Sequence, residues 1–357
     1  MIPPMGDSGG RKMDHLRLCT APDPGPVSYP PDRSTLLECV ELLPAGFPVV
    51  PVGRIDTATE FLGRQVSAPV LVSAMTGGPA RAGEINGALA RVCQALRIPL
   101  ALGSGRPVLD RPDRARTFDV RDDAPDIPIV ANIGIAQAAT VPPDRIASMV
   151  KMMRADALYV HVNFAMEALQ PEGDVVPAEV EETIQKLVAG AGCPILVKEV
   201  GCGFSPGQVE VLKRTGARWI DVAGAGGTSF IAIEGQRGGD RGARLAGTFG
   251  RWGWPTAACV GWASRLGVAN LIASGGLRNG YDVARAIALG ASMAGMALPV
   301  VRALEAGGED GARSFLETVI HELRLAAHLA GVRSAAGLRS VPRILREPLA
   351  SWLDRAR

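Results

Sequence analysis

This sequence predicts an α/β protein: one (β/α)8 TIM barrel with an N-terminal arm and a C-terminal helical tail. Three observations predict it. Eight short apolar runs recur along the chain, separated by longer segments of helical period. Most runs end in glycine or polar residues, where a parallel barrel keeps its chemistry. Aromatic residues make up only 4% of the chain, so the core rests on Val, Ile, Leu and Ala, as suits buried parallel strands.

Residues 1–35 are rich in Pro and Gly and lack periodicity, and they read as an arm. The barrel rhythm starts near residue 69. Its runs are residues 70–76, 98–104, 127–134, 157–163, 194–200, 219–225, 271–276 and 292–298. Their ends carry Met75-Thr76-Gly77-Gly78, Gly103-Ser104, Asn132, His161 with Asn163, Lys198-Glu199, Gly226-Gly227-Thr228 and Ser274-Gly275-Gly276. A doubly wound sheet is the rival, but it needs GxGxxG after its first strand, and Met75-Thr76-Gly77-Gly78 does not supply it. The stretch 228–256 is long and rich in Gly and Arg, which reads as an active-site lid or insertion. Residues 310–355 read as helix packed on the barrel. The domain reading is an arm and lead-in over 1–60, a barrel over 61–310 and a helical extension over 311–357.

A length of 357 residues fits one large barrel with extra segments, or two average domains. The 47% apolar and 21% charged residues are the balance of an ordinary globular protein. A net charge of +2 argues against a nucleic-acid binder and against a polybasic membrane protein. No run of about 18 apolar residues and no charged-then-apolar leader occurs, so the expected compartment is the cytoplasm. The six cysteines are scattered without a CxxC pair and read as free thiols. Cys202, in Gly201-Cys202-Gly203, is the best placed to react.

Several residues carry possible chemistry. The Gly-rich ends of the seventh and eighth runs, Ser274-Gly275-Gly276-Leu277 and residues 290–297, lie where barrels bind phosphate through backbone N–H groups. Lys198 closes the fifth run. A lysine aimed into a barrel mouth is costly unless it meets an anion, and the electron-rich N1–O2 edge of a flavin is one suitable partner. The other reading is a surface pair with Glu199, but strand neighbours point to opposite faces. The same alternation puts His161 and Asn163 on one face of the fourth strand. Glu167 comes next, and Mg2+ often takes one carboxylate plus phosphate oxygens, so Glu167 is a candidate metal ligand. Arg11, Lys12 and His15 are either a solvated basic patch or a flap that orders on a diphosphate. Glu234 is either a surface acid or, if the loop opening at Thr228 covers the site, a proton-relay member or a metal-water partner.

At this point the residues are similar to a known family. The segments from Phe61-Leu62-Gly63 to Ala68-Pro69 and Ser73-Ala74-Met75-Thr76-Gly77-Gly78 resemble the opening of the type II isopentenyl diphosphate isomerases. So do Ala131-Asn132-Ile133-Gly134, Gln170-Pro171-Glu172-Gly173-Asp174, Val197-Lys198-Glu199-Val200-Gly201, Gly226-Gly227-Thr228, Trp252-Gly253-Trp254-Pro255-Thr256 and Ser274-Gly275-Gly276. Arg11-Lys12-x-x-His15 fits the family's diphosphate-binding N-terminus. The resemblance runs in order over residues 10 to 355.

It implies an FMN-binding barrel, a homotetramer or homo-octamer, that interconverts isopentenyl and dimethylallyl diphosphate. The reaction uses reduced flavin and Mg2+ without net redox, with NADPH as the reductant. By position, the resemblance puts FMN against Ala74, Met75, Thr76, Ser104, Asn132, Lys198, Thr228, Gly275, Gly276, Met296 and Ala297. It puts the substrate diphosphate against Arg11, Lys12, His15, Ser104, Arg106, His161 and Asn163, and Mg2+ on Glu167. Phe230 becomes an aromatic wall, and His161, Met166, Glu167 and Glu234 fall at the catalytic positions.

Two residues depart from the family pattern. Its strand-four motif reads His-x-Asn-x-x-Gln-Glu, and here Met166 takes the glutamine's place. A thioether accepts weakly and donates nothing, so it relays no proton. The family's Gly-Ser-x-Arg segment commonly has Gln at x, and here Gly105 fills it. Two readings stand: an isomerase in which flavin N5 handles the protons alone, or a relative acting on a longer or modified prenyl diphosphate in a pocket reshaped by Met166 and Gly105. A 2-hydroxy-acid-oxidising flavoenzyme needs a His-Gly-Gly-Arg run, and Ser274-Gly275-Gly276-Leu277 lacks the His. A nucleotide dehydrogenase needs a Cys after the sixth run, and Gly226-Gly227-Thr228-Ser229 has none. A non-catalytic flavin barrel is the remaining class.

Overall fold

Each of the eight apolar runs contains a strand, and the eight strands close on themselves. In the computed structural model, residues 17–18, 33–74, 80–170 and 173–355 are described. Among the described residues, three short strands precede the barrel: β1 (Val40–Leu42), β2 (Thr59–Phe61) and β3 (Arg64–Val66). The barrel strands are β4 (Val70–Val72), β5 (Leu100–Ala101), β6 (Ile129–Gly134), β7 (Ala157–His161), β8 (Ile195–Lys198), β9 (Trp219–Asp221), β10 (Leu271–Ala273) and β11 (Met293–Met296). They run parallel in sequence order, and β11 pairs with β4 to complete the ring.

Alternation along the strands sorts the core into two parts. Leu71, Ala101, Val130, Tyr159, Leu196, Trp219, Ile272 and Met293, one from each strand, pack together inside the barrel. Their neighbours, such as Val72, Ile129, Val160 and Val197, pack outward in the larger cluster shared with the helices. The β2–β3 hairpin plugs the bottom: Phe61 is fully buried and meets Trp219 edge-on, with ring centroids 4.8 Å apart. The hairpin closes on a two-residue turn, Leu62-Gly63, with φ of 53° and 77°, the left-handed pair such a turn requires.

The 228–256 stretch folds as two helices, Phe230–Arg237 and Gly239–Phe249, packed on each other. The tail departs from an all-helical reading. After the helix Leu298–Leu329, which breaks at Gly307 and Gly308, the chain forms β12 (Arg343–Leu345) and then the helix Leu349–Arg355. β12 pairs antiparallel with β1, because that lead-in strand offers an otherwise unpaired edge. Trp352 on the last helix stacks perpendicular to Trp254, with centroids 5.6 Å apart, which ties the tail to the barrel. Among the described residues, no helix is long and apolar enough to cross a membrane.

Candidate active site

Two residues beyond each member of the interior apolar layer, the same strand face presents its next side chain. Counting on from Leu71, Ala101, Val130, Tyr159, Leu196, Trp219, Ile272 and Met293 gives Ser73, Gly103, Asn132, His161, Lys198, Asp221, Ser274 and Gly295. The barrel floor is therefore apolar and the layer above it is small or polar. All of that upper layer except Asp221 lines a cavity of about 430 Å³ at the C-terminal ends of the strands.

The sequence-predicted residues gather on this cavity. Ala74, Ser104, Asn132, Lys198, Thr228, Gly275, Gly276, Met296 and Ala297 line it, as do Arg106, His161, Asn163, Met166, Glu167 and Phe230. Arg11, Lys12, His15, Met75 and Thr76 lie outside the described residues. Glu234 does not line the cavity. It is buried on the helix Phe230–Arg237 and forms an ion pair of 2.6 Å with Arg237, one turn on. Gly105 also stays off the wall. A Cβ there would start 2.6 Å from Met149 Sδ, facing the core, so its small size does not reshape the cavity as the sequence suggested. Cys202 does not line the cavity either, and Cys39, Cys93, Cys193 and Cys259 are free thiols.

On the β5–β7 side the polar groups are interlinked. His161 Nδ1 lies 2.6 Å from Asn132 Oδ1, so a proton on Nδ1 donates to the amide oxygen. Asn163 Nδ2 donates to Glu167 Oε1 at 2.6 Å, and Asp174 N–H donates to Oε2 at 2.7 Å. Arg106 Nη1 donates to Asp174 Oδ2 at 2.6 Å, and Gln137 Nε2 donates to the same oxygen at 2.8 Å. Met166 sits in this corner on the one-turn helix Phe164–Leu169 and supplies no polar hydrogen.

On the β10–β11 side the wall is backbone. Gly275 and Gly276 have φ of 95° and 85°. A Cβ on Gly275 would fall 2.1 Å from Gly224 O, and one on Gly276 would fall 2.6 Å from Gly226 C. Only glycine lets these two loops touch and leaves their main chain open to the cavity. Ser73 Oγ is buried beside this wall without a hydrogen-bond partner among the described residues.

Lys198 stands at the end of β8, with its Nζ donating to Glu199 O at 2.6 Å. Burial pushes its ammonium below the usual lysine range, against the pull of Asp221 and Glu199. Glu199 turns to the other side of the strand, where its Oε2 accepts N–H groups from Val200, Gly201, Cys202 and Gly203. Burial still raises this carboxyl to about 7. Asp221 and Tyr159 are functional candidates that the sequence reading passed over. Both lie on the interior face, and the count of two from Trp219 would have found Asp221.

The family of FMN-dependent dehydrogenases matches residues 135–343 of the chain. Among curated proteins, an isopentenyl-diphosphate delta-isomerase of Metallosphaera sedula is 37% identical over 352 residues, covering 96% of this chain and 94% of that protein. One from Pyrobaculum arsenaticum is 40% identical over 351 residues, covering 96% and 97%. Among solved structures, a flavocytochrome b2 variant with sulfite bound superposes with a TM-score of 0.66 at 18% identity, covering 89% of this chain and 79% of that one. A mandelate oxidase mutant with an FMN adduct gives 0.64 at 19%, covering 94% and 95%. At that identity these two structures speak for the barrel fold alone.

Proposed function

The chain belongs to the isopentenyl-diphosphate delta-isomerase family, and from that premise we propose that it interconverts isopentenyl and dimethylallyl diphosphate on reduced FMN, with Mg2+ on the diphosphate. The enzyme is an isomerase and an FMN protein. The observation that carries the finer reading is one cavity with two different anion-binding walls. β10 and β6 stand four places apart in the ring of eight strands, as do β11 and β7. One wall is the bare main chain at Gly275 and Gly276, and the other holds Arg106, His161, Asn163 and Glu167. A flavin phosphate suits the first and a substrate diphosphate the second.

The residues present fit FMN. Ser73 Oγ, without a partner among the described residues, asks for a ligand, the glycine wall admits a phosphate, and Lys198 offers the cation that an electron-rich ring edge needs. When bound and reduced, FMN supplies a proton-transfer group beside the substrate's double bond. Isomerisation adds one proton to the terminal carbon of the double bond and removes one from carbon two, so no net redox occurs. Arg106 would exchange Asp174 for the diphosphate. Glu167 keeps lone pairs for Mg2+ beyond the two hydrogen bonds it accepts. Among the described residues no three His, Cys, Asp or Glu cluster as metal ligands. One carboxylate plus phosphate oxygens and waters is a sufficient set for Mg2+. NADPH is the proposed source of reducing equivalents.

The test is an anaerobic incubation with dithionite-reduced FMN, Mg2+ and isopentenyl diphosphate in D2O, read by NMR. Deuterated dimethylallyl diphosphate is the expected product. The second reading, a longer or modified prenyl diphosphate, is favoured by Met166 on the cavity wall. It gains if the flavin and diphosphate bind without turnover. Glu167→Gln is expected to remove the dependence of rate on Mg2+ concentration, and an unchanged Mg2+ response would take the metal off this residue.

A further inference from the structure

We propose that Asp221 sets the charge of Lys198: its carboxylate, level with the lysine on the next strand, keeps the ammonium protonated facing the cavity, and thereby sets the pH range over which FMN binds. The proposal rests on FMN occupying this cavity.

Lys198 and Asp221 are direct partners in the parallel ladder of β8 and β9, and His161 is the partner of Lys198 on β7. Residues level with each other in a parallel pair point to the same face. His161, Lys198 and Asp221 therefore form one interior row. Asp221 is 0% exposed and, unlike Lys198 and His161, does not line the cavity.

Its surroundings are those of an anion. Oδ1 accepts from Ser274 Oγ at 2.6 Å and from Ala223 N–H at 3.3 Å, and Oδ2 accepts from Tyr159 O–H at 3.2 Å. Three donors and no acceptor suit an ionised carboxylate. A buried anion also needs a cation, and Lys198 is level with it on the next strand.

The other groups facing Lys198 fill this role less well. Glu199 also pulls on the ammonium, but less than Asp221 does: its side chain is committed to the loop N–H groups behind the strand, and it meets Lys198 directly only through its main-chain oxygen. His161, from β7, is engaged with Asn132. Tyr159, also from β7, is held protonated by burial and donates to Asp221. Ser274, just past the end of β10, donates to Asp221 and does not titrate. Burial drives Lys198 and Asp221 each toward its neutral form, and each opposes that drive in the other.

Buried lysines without a partner can titrate as low as about pH 5–6. Asp221→Asn keeps the shape, and its amide oxygen can still accept from Ser274, but it removes the counter-charge. The ammonium should then lose its proton at a lower pH, and FMN should leave as pH rises through that point.

The experiment titrates FMN into apoprotein by flavin fluorescence quenching, from mildly acidic to alkaline pH. Wild-type affinity is expected to stay level. Asp221→Asn is expected to match it on the acid side and to weaken by about tenfold for each pH unit above the lowered lysine pKa. In a Lys198→Arg background the same substitution should give a level profile, because a guanidinium does not titrate in this range. A merely structural Asp221 would weaken binding by one factor at every pH in both backgrounds, and that result overturns the proposal. If Asp221→Asn does not fold, the wild-type curve still decides: affinity lost near neutrality means that Asp221 does not hold the charge. A wild-type chain that binds no FMN at any pH overturns the flavin reading itself.

Discussion

Lys198→Ala is expected to purify as colourless protein. Lys198 is buried at the cavity wall, 8% exposed, and its ammonium is the cation that an electron-rich flavin edge would meet. Removing it does two things. It deletes the attraction to the ligand, and it strands the Asp221 carboxylate behind the wall with no compensating charge. Leaving a buried charge without its opposite costs about 3–5 kcal/mol, which corresponds to roughly 10²- to 10⁴-fold weaker flavin binding if that cost falls on the FMN complex. Absorbance of the purified variant and an FMN titration read this directly. A variant as yellow as the wild type would remove Lys198 from the flavin site.

The barrel was legible in the sequence because its period is mechanical. Apolar runs alternating with helical spacers place strands, and the two-residue repeat then dictates which side chain faces inward. That is why Asn132, His161 and Lys198 line the cavity as read. Asp221 obeys the same repeat, but the sixth run drew attention to its glycine end rather than to its interior face. Glu234 shows where the rule stops. It lies past Thr228 on a helix, where position along the chain does not say which face turns toward the site. The ion pair with Arg237 is an i,i+3 contact within that helix. Gly105 illustrates a different limit: an absent side chain matters only in the direction it would have pointed, here toward Met149. β12 was not legible at all. Three residues with little burial carry no period, and their partner β1 lies at the opposite end of the described chain.

Met166→Gln is expected to raise the isomerase rate. Met166 lines the cavity on the same one-turn helix as Glu167, beside the Asn163–Glu167–Asp174 hydrogen bonds, and its thioether has no proton to give. Glutamine is close to methionine in length and in helix propensity, so the helix and the cavity should accept it. It brings an amide that can donate and accept where protons must be moved. Positioned acid–base groups are worth about 10² to 10⁴ in rate, so a gain toward that range is the expected size. Separate measurement of kcat and KM identifies the cause. A proton-handling amide raises kcat, changes the solvent isotope effect and leaves flavin content alone. A change of pocket shape instead moves KM, and moves it differently for short and long prenyl diphosphates. If kcat stays flat while KM for isopentenyl diphosphate rises, methionine serves this enzyme as part of an apolar wall, and the second reading, with a bulkier substrate, takes precedence.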